Sequence, residues 1–146
     1  MRITSTKFNN NETIPIKYTC KGENINPDLE FEDIPEGTKS LVLIVDDPDA
    51  PGGTWTHWTM WNIPPNTKTI SENSVPEGAV QGVNSSGNAG YAGPCPPSGT
   101  HHYHFKLYAL DKILDLPTDT AKGQLGQTIV NHFIAQAELL GTCSHE

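Results

Sequence analysis

The chain has 146 residues, a mass of 15.9 kDa and a formal charge of −8 from nine basic and seventeen acidic side chains, which is the size of one domain. The acidic balance argues against the phosphate-backbone attraction on which nucleic-acid binders rely, and twelve prolines with thirteen glycines suit a β-rich chain with many turns better than a helix bundle. No apolar h-region opens the sequence, and the longest apolar run, Leu41–Val45, is far below the ~20 residues of a membrane-spanning helix, so no membrane span and a cytoplasmic location are expected.

Residues 1–35 read as short strands and loops, punctuated by Asn9-Asn10-Asn11, Lys21-Gly22, Asn26-Pro27-Asp28 and Ile34-Pro35. Leu41-Val42-Leu43-Ile44-Val45 is a continuous apolar run, the mark of a strand covered on both faces. It stops in Asp46-Asp47-Pro48-Asp49-Ala50-Pro51. Trp55–Ile63 alternates as a second strand and is halted by Pro64-Pro65. Residues 82–99 contain five glycines and three prolines and form a long connection, a length at which loops tend to carry function. His101–Leu110 is a third strand. Leu125, Ile129, Phe133, Ala137 and Leu140 step mostly by four, which predicts an amphipathic helix closed by Gly141. The chain reads as one domain over 1–146, mostly β with one late helix.

Charge is unevenly spread. Residues 51–110 carry only Lys68, Lys106, Glu72 and Glu77, yet hold four of the six histidines and all three tryptophans. A charge-poor, aromatic and histidine-bearing span has the composition of a buried site, and equally of a plain core. Cys20, Cys95 and Cys143 form no C-x-x-C pair and are odd in number, so neither a disulfide scaffold nor a cysteine metal site is expected.

Period-2 geometry sorts the side chains of the strands. In the third strand, His101, Tyr103, Phe105, Leu107 and Ala109 share the apolar face, which carries His101 and Tyr103 to the rim of the core. His102 and His104 fall on the wetter face. In the second strand Trp55, His57, Thr59, Trp61 and Ile63 share a face, putting Trp55 beside His57 at the strand start. Asp47 and Asp49 close the first strand. Two carboxylates, two histidines and two aromatics thus end three strands beside a Gly/Pro-rich loop. Histidines with a tyrosine hydroxyl and loop N–H groups suit an anion such as phosphate, with the aspartates spent on orienting the histidines. Alternatively the aspartates face a cationic group, as in a zwitterionic ligand. A metal-dependent enzyme using His57, His101 and Asp47 or Asp49 is a further alternative, because two histidines and a carboxylate compose an Fe(II) facial triad. A nucleophilic enzyme finds little support: there is no G-x-S-x-G elbow and no P-loop, and Cys95 between Pro94 and Pro96 reads as loop packing rather than a nucleophile.

Six segments in order extend this reading over nearly the whole chain. They are Tyr18-Thr19-Cys20-x-Gly22-x-Asn24-Ile25-x-Pro27-x-Leu29, Asp47-Pro48-Asp49-Ala50-Pro51, and Trp55-x-His57-Trp58-x-x-Trp61-Asn62-Ile63-Pro64. Then come Gly82-x-Asn84 with Gly90-Tyr91-x-Gly93-Pro94-Cys95-Pro96-Pro97, His101-x-Tyr103-x-Phe105-x-Leu107-Tyr108-Ala109-Leu110-Asp111, and Ala137-Glu138-Leu139-Leu140-Gly141-Thr142. With these the sequence resembles the phosphatidylethanolamine-binding protein family, in its bacterial and archaeal, Raf kinase inhibitor-like branch. The resemblance implies a phosphatidylethanolamine-binding-protein-like β-sandwich with a C-terminal helix and a small anion pocket at one end. It places Asp47, Asp49, Trp55, His57, Gly93, Pro94, His101 and Tyr103 at the ligand. It implies a binding protein rather than an enzyme, without cofactor or metal. The implied ligand is a phospholipid head group or another phosphate-bearing or zwitterionic molecule, the implied protein partner a kinase, phosphoprotein or protease, and the implied assembly a homodimer. A surface-acting protease inhibitor or scaffold is the remaining alternative. The sequence departs from the branch at Cys143, where Gly-Thr is usually followed by tyrosine, and at Asp28 and Phe31.

Overall fold

A computed structural model describes residues 1–145. Among these residues nine strands and one α-helix follow in the order β1 (Arg2–Thr4), β2 (Glu12–Thr13), β3 (Leu29–Glu32), β4 (Ser40–Asp47), β5 (Trp55–Ile63), β6 (Thr69–Ile70), β7 (Val80–Gln81), β8 (Thr100–Leu110), α1 (Lys122–His132) and β9 (Phe133–Ser144), with a single 3-10 turn at Ile16–Tyr18 between β2 and β3. A six-stranded sheet in the order β2-β9-β8-β4-β5-β7 faces a small sheet β1-β3-β6. All pairings are antiparallel except that of β2 with β9.

Two apolar clusters hold the layers together. Between the sheets, Ile3, Leu29, Phe31 and Ile70 of the small sheet meet Leu43, Val45, Trp58, Met60, Phe105 and Leu107 of the large one. On the other face of the large sheet, Val42, Ile44, Trp61 and Leu110 meet Leu125 and Ile129 of α1. Strand β4 therefore feeds both cores, and every one of its eight residues is buried, as its unbroken apolar run predicts.

The helix expected to run to Gly141 ends instead at His132. Phe133 turns extended, with φ −80° and ψ 140°, and donates its N–H to the Ile129 carbonyl. The chain then pairs with β8 almost residue by residue, from Ala135 opposite Ala109 to Ser144 opposite Thr100. A spacing of four residues satisfies a two-residue period as well as a helical one. Leu125 and Ile129 sit one turn apart on a helix, whereas Ala137 sits on the inward side of a strand. Gly141 is not a helix cap: a Cβ there would meet Ile14 Cδ1 at 2.8 Å and Phe8 Cε2 at 2.9 Å, where the N-terminal segment crosses β9.

The face assignment of β5 needs correction at its far end. Val45 lies opposite Trp58 but Asp46 opposite Thr56, so His57 is an extra, bulged residue. Leu43 lies opposite Met60 and Leu41 opposite Ile63, so a second bulge falls at Trp61-Asn62, with Asn62 at φ 56°. Each bulge shifts the alternation by one. Trp55 and His57 keep the inner face, but Thr59 and Trp61 turn to the α1 side while Trp58, Met60 and Ile63 enter the intersheet core.

A second correction concerns the cysteines. Cys20 and Cys95 are bonded, with 5.5 Å between their Cα atoms, and Cys143 is free. An odd count leaves one thiol over without excluding a bond between the other two, and positions 75 residues apart are brought together only by the fold.

Candidate functional site

Strands β4, β5 and β8 end at one edge of the large sheet. There they open a cavity of about 400 Å³, lined by Asp47, Ala50, Pro51, Trp55, His57, Gly93, Cys95, Pro96, Pro97, His101 and Tyr103. Alternation on β8 sends His101 and Tyr103 inward, where both are buried, and leaves His102 exposed. The bulge at His57 aims that ring at Tyr103, with ring centroids 5.1 Å apart, and Trp55 covers it at 4.5 Å. Bulges commonly re-aim a side chain in this way beside functional sites.

Each aspartate holds a histidine. His101 donates from Nδ1 to Asp47 Oδ2 at 2.6 Å, with both side chains under one-tenth exposed. The other Asp47 oxygen accepts the Asp49 N–H at 2.8 Å. Asp49 turns outward and accepts from both the backbone N–H and the Nδ1 of His102, at 2.9 and 2.7 Å. These bonds from His102 hold the Asp49 carboxyl below its ordinary value. The His57 Nδ1–H donates to the Ala92 carbonyl at 2.6 Å, and Ala92 N–H donates back to the His57 carbonyl at 2.9 Å. In both cavity histidines Nδ1 is therefore engaged, which fixes the ring and leaves Nε2 as the free nitrogen. Burial pushes the His57 imidazole below the ordinary histidine value, opposed by its bond to Ala92 and by the charges of Asp47 and Asp46. Burial also raises the Tyr103 hydroxyl, which stays protonated and can donate.

Six of the eight residues singled out in the sequence line the cavity: Asp47, Trp55, His57, Gly93, His101 and Tyr103. Asp49 does not, being spent on His102. Pro94 is buried against the other side of the loop, where its carbonyl accepts the Cys20 N–H at 3.1 Å. The metal alternative needs three donors at one point. Asp49 faces away, and among the described residues no three His, Cys, Asp or Glu side chains are grouped to hold an ion.

Residues outside the sequence-based set build the wall. Gly93 N–H donates to Asn24 Oδ1 at 2.8 Å, Tyr91 donates its hydroxyl proton to the Tyr18 carbonyl at 2.7 Å, and the Cys20–Cys95 bond closes the same seam. The 18–24 segment stands in the first of the six motifs, but nothing local in it speaks of a pocket 70 residues on. Gly93 is required by this contact. A Cβ there would lie 2.5 Å from the Tyr18 carbonyl oxygen and 3.0 Å from Thr19 Cα, both backbone. Gly93→Ala is expected to lever the wall off the 18–24 segment at about 1–3 kcal/mol, read as a lower Tm; an unchanged Tm would contradict this packing.

A larger cavity of about 480 Å³ opens under α1, where Asp46 is lined up with Lys106 and Lys122. The lysines meet Asp46 Oδ2 at 3.2 and 2.8 Å. Both ammonium groups answer the same oxygen of this buried carboxylate, Asp46 Oδ1 has no hydrogen-bond partner among the described residues, and the walls are otherwise mostly apolar. The converging histidines lie in the smaller cavity.

Comparison with known proteins agrees with this architecture. Residues 4–144 match the family model described as phosphatidylethanolamine-binding protein. A UPF0098 protein of Methanothermobacter thermautotrophicus is 47% identical over 146 residues, covering 97% of each chain. A UPF0098 protein of Pyrococcus horikoshii is 51% identical over 94% of this chain and 73% of its own. The crystal structure of CT736 from Chlamydia trachomatis, described as a putative phosphatidylethanolamine-binding protein homolog, superposes with a TM-score of 0.95 at 43% identity, covering 99% of this chain and 97% of that one. E. coli YbcL, described as a new member of the mammalian family, superposes with a TM-score of 0.93 at 34% identity, covering 99% and 98%. By sequence over 141 of its residues and by fold over nearly all of them, this chain belongs to the phosphatidylethanolamine-binding protein family.

Proposed function

We propose that the cavity between β4, β5 and β8 binds a small phosphate-bearing or zwitterionic ligand, and that the protein is a binding module rather than an enzyme. The observation that carries this reading is the pair of histidines, each locked through Nδ1 by Asp47 or Ala92, at a cavity whose rim is apolar. Protonated Nε2 atoms and the Tyr103 hydroxyl supply donors for phosphate oxygens. Asp47 neutralises part of the imidazolium charge, so one anion is balanced and a polyanion is not favoured. Trp55, Ala50, Pro51, Pro96 and Pro97 offer an apolar collar to a lipid glycerol or a peptide backbone, and the Trp55 face suits an ammonium group. A phospholipid head group and a phosphorylated side chain present the same chemistry here. Modulation of a kinase or phosphoprotein, and assembly as a homodimer, belong to the same proposal.

The pH dependence tests it. His57 must be protonated to donate to an anion, and its folded pKa is depressed by burial. Affinity should therefore rise as pH falls below the ordinary histidine value of about 6.5. The ligand-free fold should respond in the opposite sense. A histidine with a lowered folded pKa contributes stability that is complete above about pH 6.5 and is lost as pH falls through the folded value. Glycerophosphoethanolamine, a phosphodiester of constant charge over this range, should bind the wild type more tightly in acid, and His57→Ala should lose the part of that dependence that His57 supplies. Equal affinity and equal pH profiles in calorimetric titrations of the two proteins would overturn the assignment.

The cytoplasm is the location expected from the sequence, whereas the Cys20–Cys95 bond favours an oxidising compartment. Thiol trapping in intact cells decides between them, because a reducing compartment holds Cys20 and Cys95 as free thiols and an oxidising one holds them bonded.

A further inference from the structure

The cysteines at positions 20, 95 and 143 meet at one cavity. It measures about 190 Å³, and all three line it together with Lys21, Pro96 and His145. Cys20 and Cys95 are exposed residues joined by the disulfide, and Cys143 is a half-buried free thiol. Cys143 lies directly opposite His101 in the β8–β9 pair, so its side chain stands on the same sheet face as the histidine, toward the loop that carries Cys95. Tyr103 is close enough to feel a charge on Cys143 and also meets the backbone of Cys95. Cys95, Pro96 and Pro97 are a shared wall, with this cavity on one side and the histidine cavity on the other.

We propose that Cys20, Cys95 and Cys143 form one thiol–disulfide exchange centre, in which Cys143 attacks the Cys20–Cys95 bond and moves it onto β9. The Cys143 thiolate attacks Cys20 Sγ, the Cys143–Cys20 bond forms, the Cys20–Cys95 bond breaks, and the electron pair leaves on Cys95 Sγ. Attack on Cys95 Sγ is the mirror case and releases Cys20. The proton given up by Cys143 is regained by the leaving thiolate through solvent, so one thiol and one disulfide remain and no oxidant is consumed. The groups facing Cys143 are Lys21, His145, Tyr91 and Tyr103. Burial pushes the Cys143 thiol above its ordinary value, opposed by the Lys21 ammonium, which favours the thiolate. Either product cuts the covalent tie between the 18–24 segment and the wall of the histidine cavity. The effect of that cut on ligand affinity rests on the function proposed above; the exchange itself does not.

Peptide mapping tests the exchange in the wild-type protein. Oxidised protein is held in mildly alkaline buffer, where thiolates attack faster. It is then quenched in acid, alkylated with N-ethylmaleimide in denaturant, and digested without reduction. Alkylation at time zero should sit on Cys143 alone. With time it should appear on Cys20 or Cys95, with a matching disulfide-linked peptide that contains Cys143, to the same extent at every protein concentration. Alkylation confined to Cys143 at all times would overturn the proposal. Two variants provide an independent arm. After oxidation with diamide, Cys20→Ser should form Cys95–Cys143 and Cys95→Ser should form Cys20–Cys143, each within one chain. If both variants keep the β circular-dichroism spectrum and neither forms its intramolecular bond, the three sulfurs do not share a centre.

Discussion

Replacing His101 with alanine is expected to weaken binding of a phosphodiester by about 10- to 100-fold. A hydrogen bond from a charged donor contributes about 1.5–3 kcal/mol, and each 1.4 kcal/mol is about tenfold in affinity. The loss should lie toward the upper end. The substitution removes a donor and also leaves Asp47, whose side chain is 4% exposed, as a buried carboxylate with no histidine on Oδ2, facing the incoming anion. Asp47→Asn separates the two effects. The amide can still accept from His101 Nδ1 while the carboxylate charge is gone, so the ring keeps its place and its Nε2 remains the free nitrogen. Affinity should then drop less than in His101→Ala. Isothermal titration of glycerophosphoethanolamine into the wild type and both variants reads the order directly. His101→Ala binding as tightly as the wild type would remove this histidine from the site.

The double variant Cys20→Ser/Cys95→Ser is expected to lose about 4 kcal/mol of stability by the loop-entropy relation for a bond of this span. The bond spans 75 residues and so closes a loop holding β3 to β7 and half of the intersheet core. For a domain of this size the Tm should fall by about 10 °C or more. The double variant isolates the effect, because a single replacement leaves a cysteine able to pair with Cys143. The wall is not expected to collapse. The Cys20 N–H to Pro94 bond, the Gly93 N–H to Asn24 bond and the Tyr91 hydroxyl on Tyr18 all remain. Ligand affinity should therefore fall by a smaller factor than in His101→Ala. Thermal unfolding of the oxidised wild type, the reduced wild type and the double variant checks the figure. Coincident unfolding of all three would show that the bond adds no stability.

Strands β4, β5 and β8 were legible because their signals are local. The apolar run at 41–45, the alternation from Trp55 and the alternation from His101 each name a strand within two residues of its observed ends. The inward face of β8 followed from alternation alone, which separated His101 from its neighbours His102 and His104. The segment after His132 was misread because the residues at 125, 129, 133 and 137 have the same parity. Their spacing fits one side of a strand as well as one face of a helix, and the partner that decides between them is β8, not the segment itself.

What the sequence determined by itself was therefore the residue types of the candidate site: two histidines, a tyrosine and a tryptophan at the ends of alternating strands, with two aspartates beside them and a Gly/Pro-rich loop to follow. The tertiary structure decided how those groups are used. Pairing across β4 and β5 created the bulge at His57, the packing of the 18–24 segment explained Gly93, and the turn after β4 sent Asp49 outward to His102 while keeping Asp47 on His101. It also joined Cys20 to Cys95 and brought Cys143 to the same cavity. Composition counts three cysteines and a charge of −8, but a bond between positions 75 apart and a local field around one anion both depend on distances in space. A chain of amino acids states those distances only once its strands have found their partners.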